Sequence, residues 1–114
     1  MATLTPKNFN IASPTLNTLT TLYTSNTNAG SYSILKNINI CNPNTTTAGT
    51  VTLYVTPSNV AALANNVFLS SLAVPANASI LIDSSVILNA NAIIAANISL
   101  TGIVINISGV EFIA

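Results

Sequence analysis

Thr50-Val51-Thr52-Leu53-Tyr54-Val55-Thr56 alternates polar and apolar residues without a break. Successive side chains of an extended chain point to opposite faces, so Val51, Leu53 and Val55 share one side. Thr50, Thr52, Tyr54 and Thr56 share the other, the pattern of a strand with one face in a core and one toward water. Residues 33–42 alternate similarly, with Ile34, Ile38 and Ile40 on one side and Asn37 and Asn39 opposite. Lys36 falls in the apolar set, which marks a strand end, a bulge or a snorkelling stem. Between the two stretches, Asn42-Pro43-Asn44-Thr45-Thr46-Thr47-Ala48-Gly49 is rich in turn-forming residues. The two strands are expected to pair as an antiparallel hairpin.

The same texture runs through most of the chain. Residues 67–74 form a strand pattern that stops at the turn Pro75-Ala76-Asn77. Residues 79–83 and 86–88 read as two short apolar runs separated by Asp83-Ser84-Ser85, and residues 93–96 follow the break at Asn89-Ala90-Asn91. Residues 103–108 alternate again before Gly109, where a bulge or a close backbone approach is expected. Only residues 58–66 offer a helical alternative, with Val60, Ala61, Leu63 and Ala64 on one side. The whole predicts an all-β fold, an antiparallel β-sandwich or jelly roll, occupying residues 18–114 as one domain. Residues 1–17 contain Pro6 and Pro14 and scattered apolar side chains, and are expected to form an extended N-terminal arm lying along a neighbour.

Charge is nearly missing. Lys7, Lys36, Asp83 and Glu111 are the charged side chains of the 114 residues, 4% of the chain, against roughly 25% in ordinary domains. Half of the residues are hydrophobic, yet no apolar run approaches the ~18 residues of a membrane-spanning helix. With no cluster of Lys or Arg, nucleic acid and anionic membranes are not expected as partners. No basic stretch with an apolar run opens the chain, so no secretory leader is expected. The Asn-x-Ser/Thr triplets at Asn44, Asn77, Asn97 and Asn106 are chance products of an Asn-, Ser- and Thr-rich composition.

Chemistry is limited by inventory. Histidine is absent, which rules out Ser-His-Asp and Cys-His catalysis. Asp83 is expected at a turn and Glu111 near a strand end, paired with Lys36 or with a neighbour. Zinc and calcium need ligand clusters that this chain does not have. No cofactor, metal or catalytic residue is expected, and the protein reads as a non-enzyme. The single cysteine, Cys41, reads as a buried small hydrophobe, with an intermolecular disulfide as the alternative. Tyr23, Tyr32 and Tyr54 suit core or interface anchoring; stacking on a sugar is the other use open to them.

An uncharged, apolar chain without a membrane span is expected to be covered by other subunits. The ordered series Leu22-Tyr23-Thr24, Ala29-Gly30, Lys36-Asn37-Ile38, Cys41-Asn42, Val51-Thr52-Leu53-Tyr54-Val55, Pro75-Ala76-Asn77, Leu88-Asn89-Ala90 and Ile107-Ser108-Gly109-Val110-Glu111 resembles small phage virion structural proteins. The resemblance spans residues 22–113. It departs at Asn28-Ala29-Gly30-Ser31 and Asn91-Ala92, where such proteins often carry Pro-Ala-Gly-Lys and Gly-Asp. It implies a capsid decoration or cement protein located in the virion, partnered by the major capsid protein or other virion proteins. A homo-oligomer, in trimeric form, is expected. The alternatives are a tail, baseplate or fibre component and a receptor- or glycan-binding module. Leu4, Phe9, Ile11, Tyr23, Tyr32, Tyr54 and Glu111 are the candidate assembly contacts.

Overall fold

A computed structural model of the chain describes residues 3–56 and 67–114. The described strands are β1 (Thr3–Ala12), β2 (Thr20–Thr24), β3 (Tyr32–Asn42), β4 (Gly49–Thr56), β5 (Val67–Val74), β6 (Ala78–Asn89), β7 (Ile93–Ile98) and β8 (Val104–Ile113). They form two four-stranded sheets, ordered β1-β8-β3-β6 and β2-β7-β4-β5, with antiparallel pairing throughout both. This interleaved order is that of an eight-stranded jelly roll. The expected helical alternative at residues 58–66 lies outside the described residues.

The chain changes sheet at nearly every connection. Among the described strands, β4 and β5 alone are neighbours both in order and in a sheet. The expected hairpin between residues 33–42 and 50–56 therefore does not form: β3 and β4 lie in opposite sheets. The intervening turn serves as a bridge between layers, organised by the buried Asn42. Its Nδ2 donates to Thr47 O (2.9 Å) and Val74 O (3.2 Å), and its Oδ1 accepts from Asn44 N (3.1 Å). Asn77 (φ 55°) and Asn91 (φ 66°) adopt left-handed backbone at the two breaks expected from sequence, a conformation that Asn tolerates better than most residues.

The core lies between the sheets. Leu35, Ile38 and Ile40 of β3, Val51 and Leu53 of β4, Ile94 and Ile98 of β7, and Ile105 and Ile107 of β8 are all buried there. Branched side chains suit this position because they fit a pleated, close-packed surface. Removing one of them to Ala costs roughly 2–5 kcal/mol.

Two bulges flank the central strand β8 at the same level. β1 carries an extra residue, Phe9, between Asn8 and Asn10, and β3 carries Lys36 between Leu35 and Asn37. In β3 the bulge exchanges faces: Ser33 and Leu35 point inward before it, Ile38, Ile40 and Asn42 after it. Ile34 thus lies on the outer face, opposite to its expected side. Gly109 sits between the two bulges. A Cβ there would meet Ile34 O and come within 3.1 Å of Lys36 N. The glycine is required for close backbone approach, and β8 itself runs on without interruption.

The expected N-terminal arm is extended, and it is laid into its own chain's sheet as edge strand β1, antiparallel to β8. Pro6 is acceptable there because an edge strand needs no donor on its free side. The two apolar runs expected around Asp83-Ser84-Ser85 form one twelve-residue strand, β6. Asp83 is consequently a mid-strand residue rather than a turn residue.

Candidate assembly surface

Directly opposed residues of antiparallel strands lie on the same face, so the register defines the outer surface of the β1-β8-β3-β6 sheet row by row. Leu4, Phe112, Tyr32 and Asn89 make one row, and Pro6, Val110, Ile34 and Ile87 make the next. Asn8, Ser108, Asn37 and Asp83 form the third, and Ile11, Asn106, Asn39 and Leu81 the fourth. One half of this face is an apolar band and the other half is mainly amide and hydroxyl. In the band, Tyr32 and Phe112 stack with ring centroids 4.8 Å apart, while Leu4 and Ile87 are each 62% exposed. In the polar half, Asn8 Nδ2 donates to Asn106 Oδ1 (2.8 Å) and Asn37 Nδ2 to Asp83 Oδ1 (3.3 Å).

Beneath the band, a polar chain fastens one sheet to the other. Glu111 of β8 is buried and accepts from Tyr23 Oη of β2 at 2.9 Å and from Lys7 Nζ of β1 at 3.2 Å. Tyr23 Oη also lies 2.9 Å from Ser33 Oγ, which is 3.2 Å from Ser25 Oγ. Phe9, turned inward by its bulge, stacks on the Tyr23 ring at 4.2 Å, and Lys7 Nζ sits 5.9 Å from that ring's centroid. Burial pushes the Tyr23 phenol up to about 12; the bond to Ser33 works against this, and the bond to Glu111 and its charge add to it. Glu111 therefore pairs with Lys7 rather than with Lys36, whose Nζ lies 3.4 Å from Ser85 Oγ.

The structure separates the seven expected contact residues. Leu4, Ile11 (65% exposed) and the half-buried Tyr32 are on the outer face of the first sheet. Tyr54 lies by alternation on the outer face of the second sheet, and Phe9, Tyr23 and Glu111 are interior and hold the sheets together. No two tyrosines share an outer sheet face, so the stacking platform that a glycan-binding reading needs is not assembled. Sequence reasoning missed Ile34 because β3 bulges at Lys36, Val110 and Phe112 because an interruption was expected at Gly109, and Ile87 because a break was expected at residues 83–85, whereas β8 and β6 run through both places. Cys41 is a half-buried free thiol. Among the described residues no three His, Cys, Asp or Glu side chains converge as a metal site.

No known protein family and no curated protein matches the sequence. Among solved structures, the fold is similar to a chain in the structure of infectious bursal disease virus, Gx strain, with a TM-score of 0.59 and 13% identity. The match covers 98% of this chain and 32% of the viral one, so this chain spans about a third of the length of that neighbour.

Proposed function

We propose that this protein is a non-enzymatic structural component of a virion, a bacteriophage capsid decoration or cement protein that binds between capsomers and stabilises the shell. The observation that carries this reading is the apolar band on the first sheet. A scarcity of charge alone marks a chain prone to association. Here the uncharged exterior is gathered into one continuous face of Leu4, Phe112, Tyr32, Val110, Ile34 and Ile87, as expected of an interaction site. The likeness to a chain from a virus structure agrees with the reading at the level of fold.

Binding, rather than turnover, is the mechanism. The band docks on the major capsid protein or another virion protein, and Leu4 and Ile11 on β1 give the N-terminal segment, residues 1–17, its share of the grip. Phe9, Tyr23 and Glu111 support the surface from below, and homo-oligomerisation, as a trimer at three-fold positions, multiplies the contacts.

Such contacts depend on apolar area and are nearly insensitive to ionic strength. Particles carrying the chain are expected to retain it in concentrated NaCl and release it in urea, and Ile34→Asp is expected to abolish binding to stripped particles while leaving the isolated subunit folded. Release by NaCl alone, or full binding by the Ile34→Asp variant, would overturn the proposal. Electron microscopy of the particles separates copies spread over the shell from a few copies on a tail.

A further inference from the structure

The two sheets have four edges, and three are blunted. β1 carries Pro6, Lys7 and a bulge; β2 is only five residues long; β5 is kinked by Ser71 at φ 46° and by two register shifts against β4. Short length, proline, lysine and bulges are the devices that keep an edge from pairing with another chain. β6 is different. It runs twelve residues with neither proline nor lysine, and although Ser84 and Ser85 together oppose the single Lys36 of β3, its inward and outward sides alternate without exchange from end to end; among the described residues no strand lies beyond it.

Its polar and apolar pattern also reads the same in both directions. From Ser84 outward, Asp83 mirrors Ser85, Ile82 mirrors Val86, Leu81 mirrors Ile87, Ile80 mirrors Leu88 and Ser79 mirrors Asn89. A two-fold interface requires a self-complementary patch, and this strand supplies one. From these features we infer that β6 pairs antiparallel with β6 of a second copy about a two-fold axis at Ser84, joining two four-stranded sheets into one continuous sheet.

Face matching restricts the register. Inward residues must oppose inward residues, so the axis has to pass through a residue and not between two. An axis at Asp83 sets two carboxylates against each other and Ile80 against Val86 but Ile82 against Ser84. An axis at Ser85 sets Asp83 against Ile87. The axis at Ser84 opposes apolar to apolar and polar to polar along the whole strand. It covers Leu81, 65% exposed, and Ile87, 62% exposed, with each other's counterparts.

Charge agrees with the same register. Lys7 and Glu111 neutralise each other within the chain, which leaves Lys36 and Asp83. Lys36 Nζ lies 3.4 Å from Ser85 Oγ, and in this pairing Ser85 opposes Asp83 of the second copy. The two remaining charges of each subunit are thus placed to meet across the axis, twice per dimer. The contact is independent of where the chain works, and it adds to any three-fold arrangement.

Disulfide trapping of the full-length chain tests both partner and register. In a Cys41→Ser background, Leu81→Cys and Ile87→Cys variants mixed under mild oxidation are expected to form a mixed disulfide, because directly opposed residues have suitable Cα separations. Either variant alone is expected to stay unlinked, since residue 81 of one copy lies about 20 Å along the strand from residue 81 of the other. By sedimentation, Asp83→Lys is expected to weaken self-association at least roughly tenfold, and adding Lys36→Asp to it to restore it. Both substitutions are at exposed positions, and circular dichroism verifies folding. Absence of the mixed disulfide, linkage of Leu81→Cys with itself at the same rate, or unchanged association of Asp83→Lys would each overturn the inference.

Discussion

The two edges of the first sheet, β1 and β6, solve opposite problems. β1 is fastened to its own subunit: Phe9 is driven inward onto Tyr23, and Lys7 reaches the buried Glu111. Its proline and bulge make it a poor template for another strand. β6 is tied by side chains to β3 through Ser84, Asp83 and Ser85 rather than through a buried ring stack or ion pair, and it presents exposed Leu81 and Ile87. In a chain with four charges, protection has been concentrated on one edge, and the other is left able to pair. The difference teaches that low charge need not mean indiscriminate stickiness, provided that the backbone irregularities are placed unevenly.

The largest test of this contrast falls on Gly109, which allows both bulges to pack against β8. Gly109→Val drives a side chain into Ile34 O. It is expected to cost at least ~3 kcal/mol or to prevent folding, read from urea unfolding and expression yield. A mild effect would show that the bulges are adaptable.

Next comes a direct comparison of the edges. Phe9→Ala removes a buried ring and its stacking on Tyr23, and is expected to cost roughly 3 kcal/mol. Leu81→Ala removes an exposed side chain on β6 and is expected to change subunit stability by less than about 0.5 kcal/mol. Equal losses in urea midpoints would erase the distinction between a fastened and a free edge.

The smallest effect concerns pH. The Tyr23 phenol is raised from 10.0 in the unfolded chain to about 12 in the folded one. The folded state thus keeps a proton that the unfolded state releases first, and stability falls as pH rises with that difference. The contribution is fully present below pH 10 and is lost between about pH 10 and 12. Thermal melts across that range are expected to fall more steeply for the natural protein than for Tyr23→Phe.

Much of this was readable from local pattern. Val51 and Leu53 are buried and Val55 packs against the core, as the alternation of β4 predicts. Turn-forming Asn residues stand at the breaks, and Gly109 marks a close backbone approach. The contact surface was only partly legible. Leu4 and Ile11 face outward, but Phe9 turns inward because a bulge reverses the parity around it. Ile34 was assigned to the core side for the same reason, one extra residue at Lys36.

The amino-acid order by itself determined the β class, the half-buried strands, the breaks at Asn77 and Asn91 and the exclusion of histidine-dependent chemistry, because each depends on residue type and a period of two along a short stretch. Only the tertiary structure decided which sheet each strand joins, which side Ile34 faces and that Glu111 pairs with Lys7. Those outcomes rest on hydrogen bonding between strands far apart in the chain, where a single extra residue exchanges inside for outside.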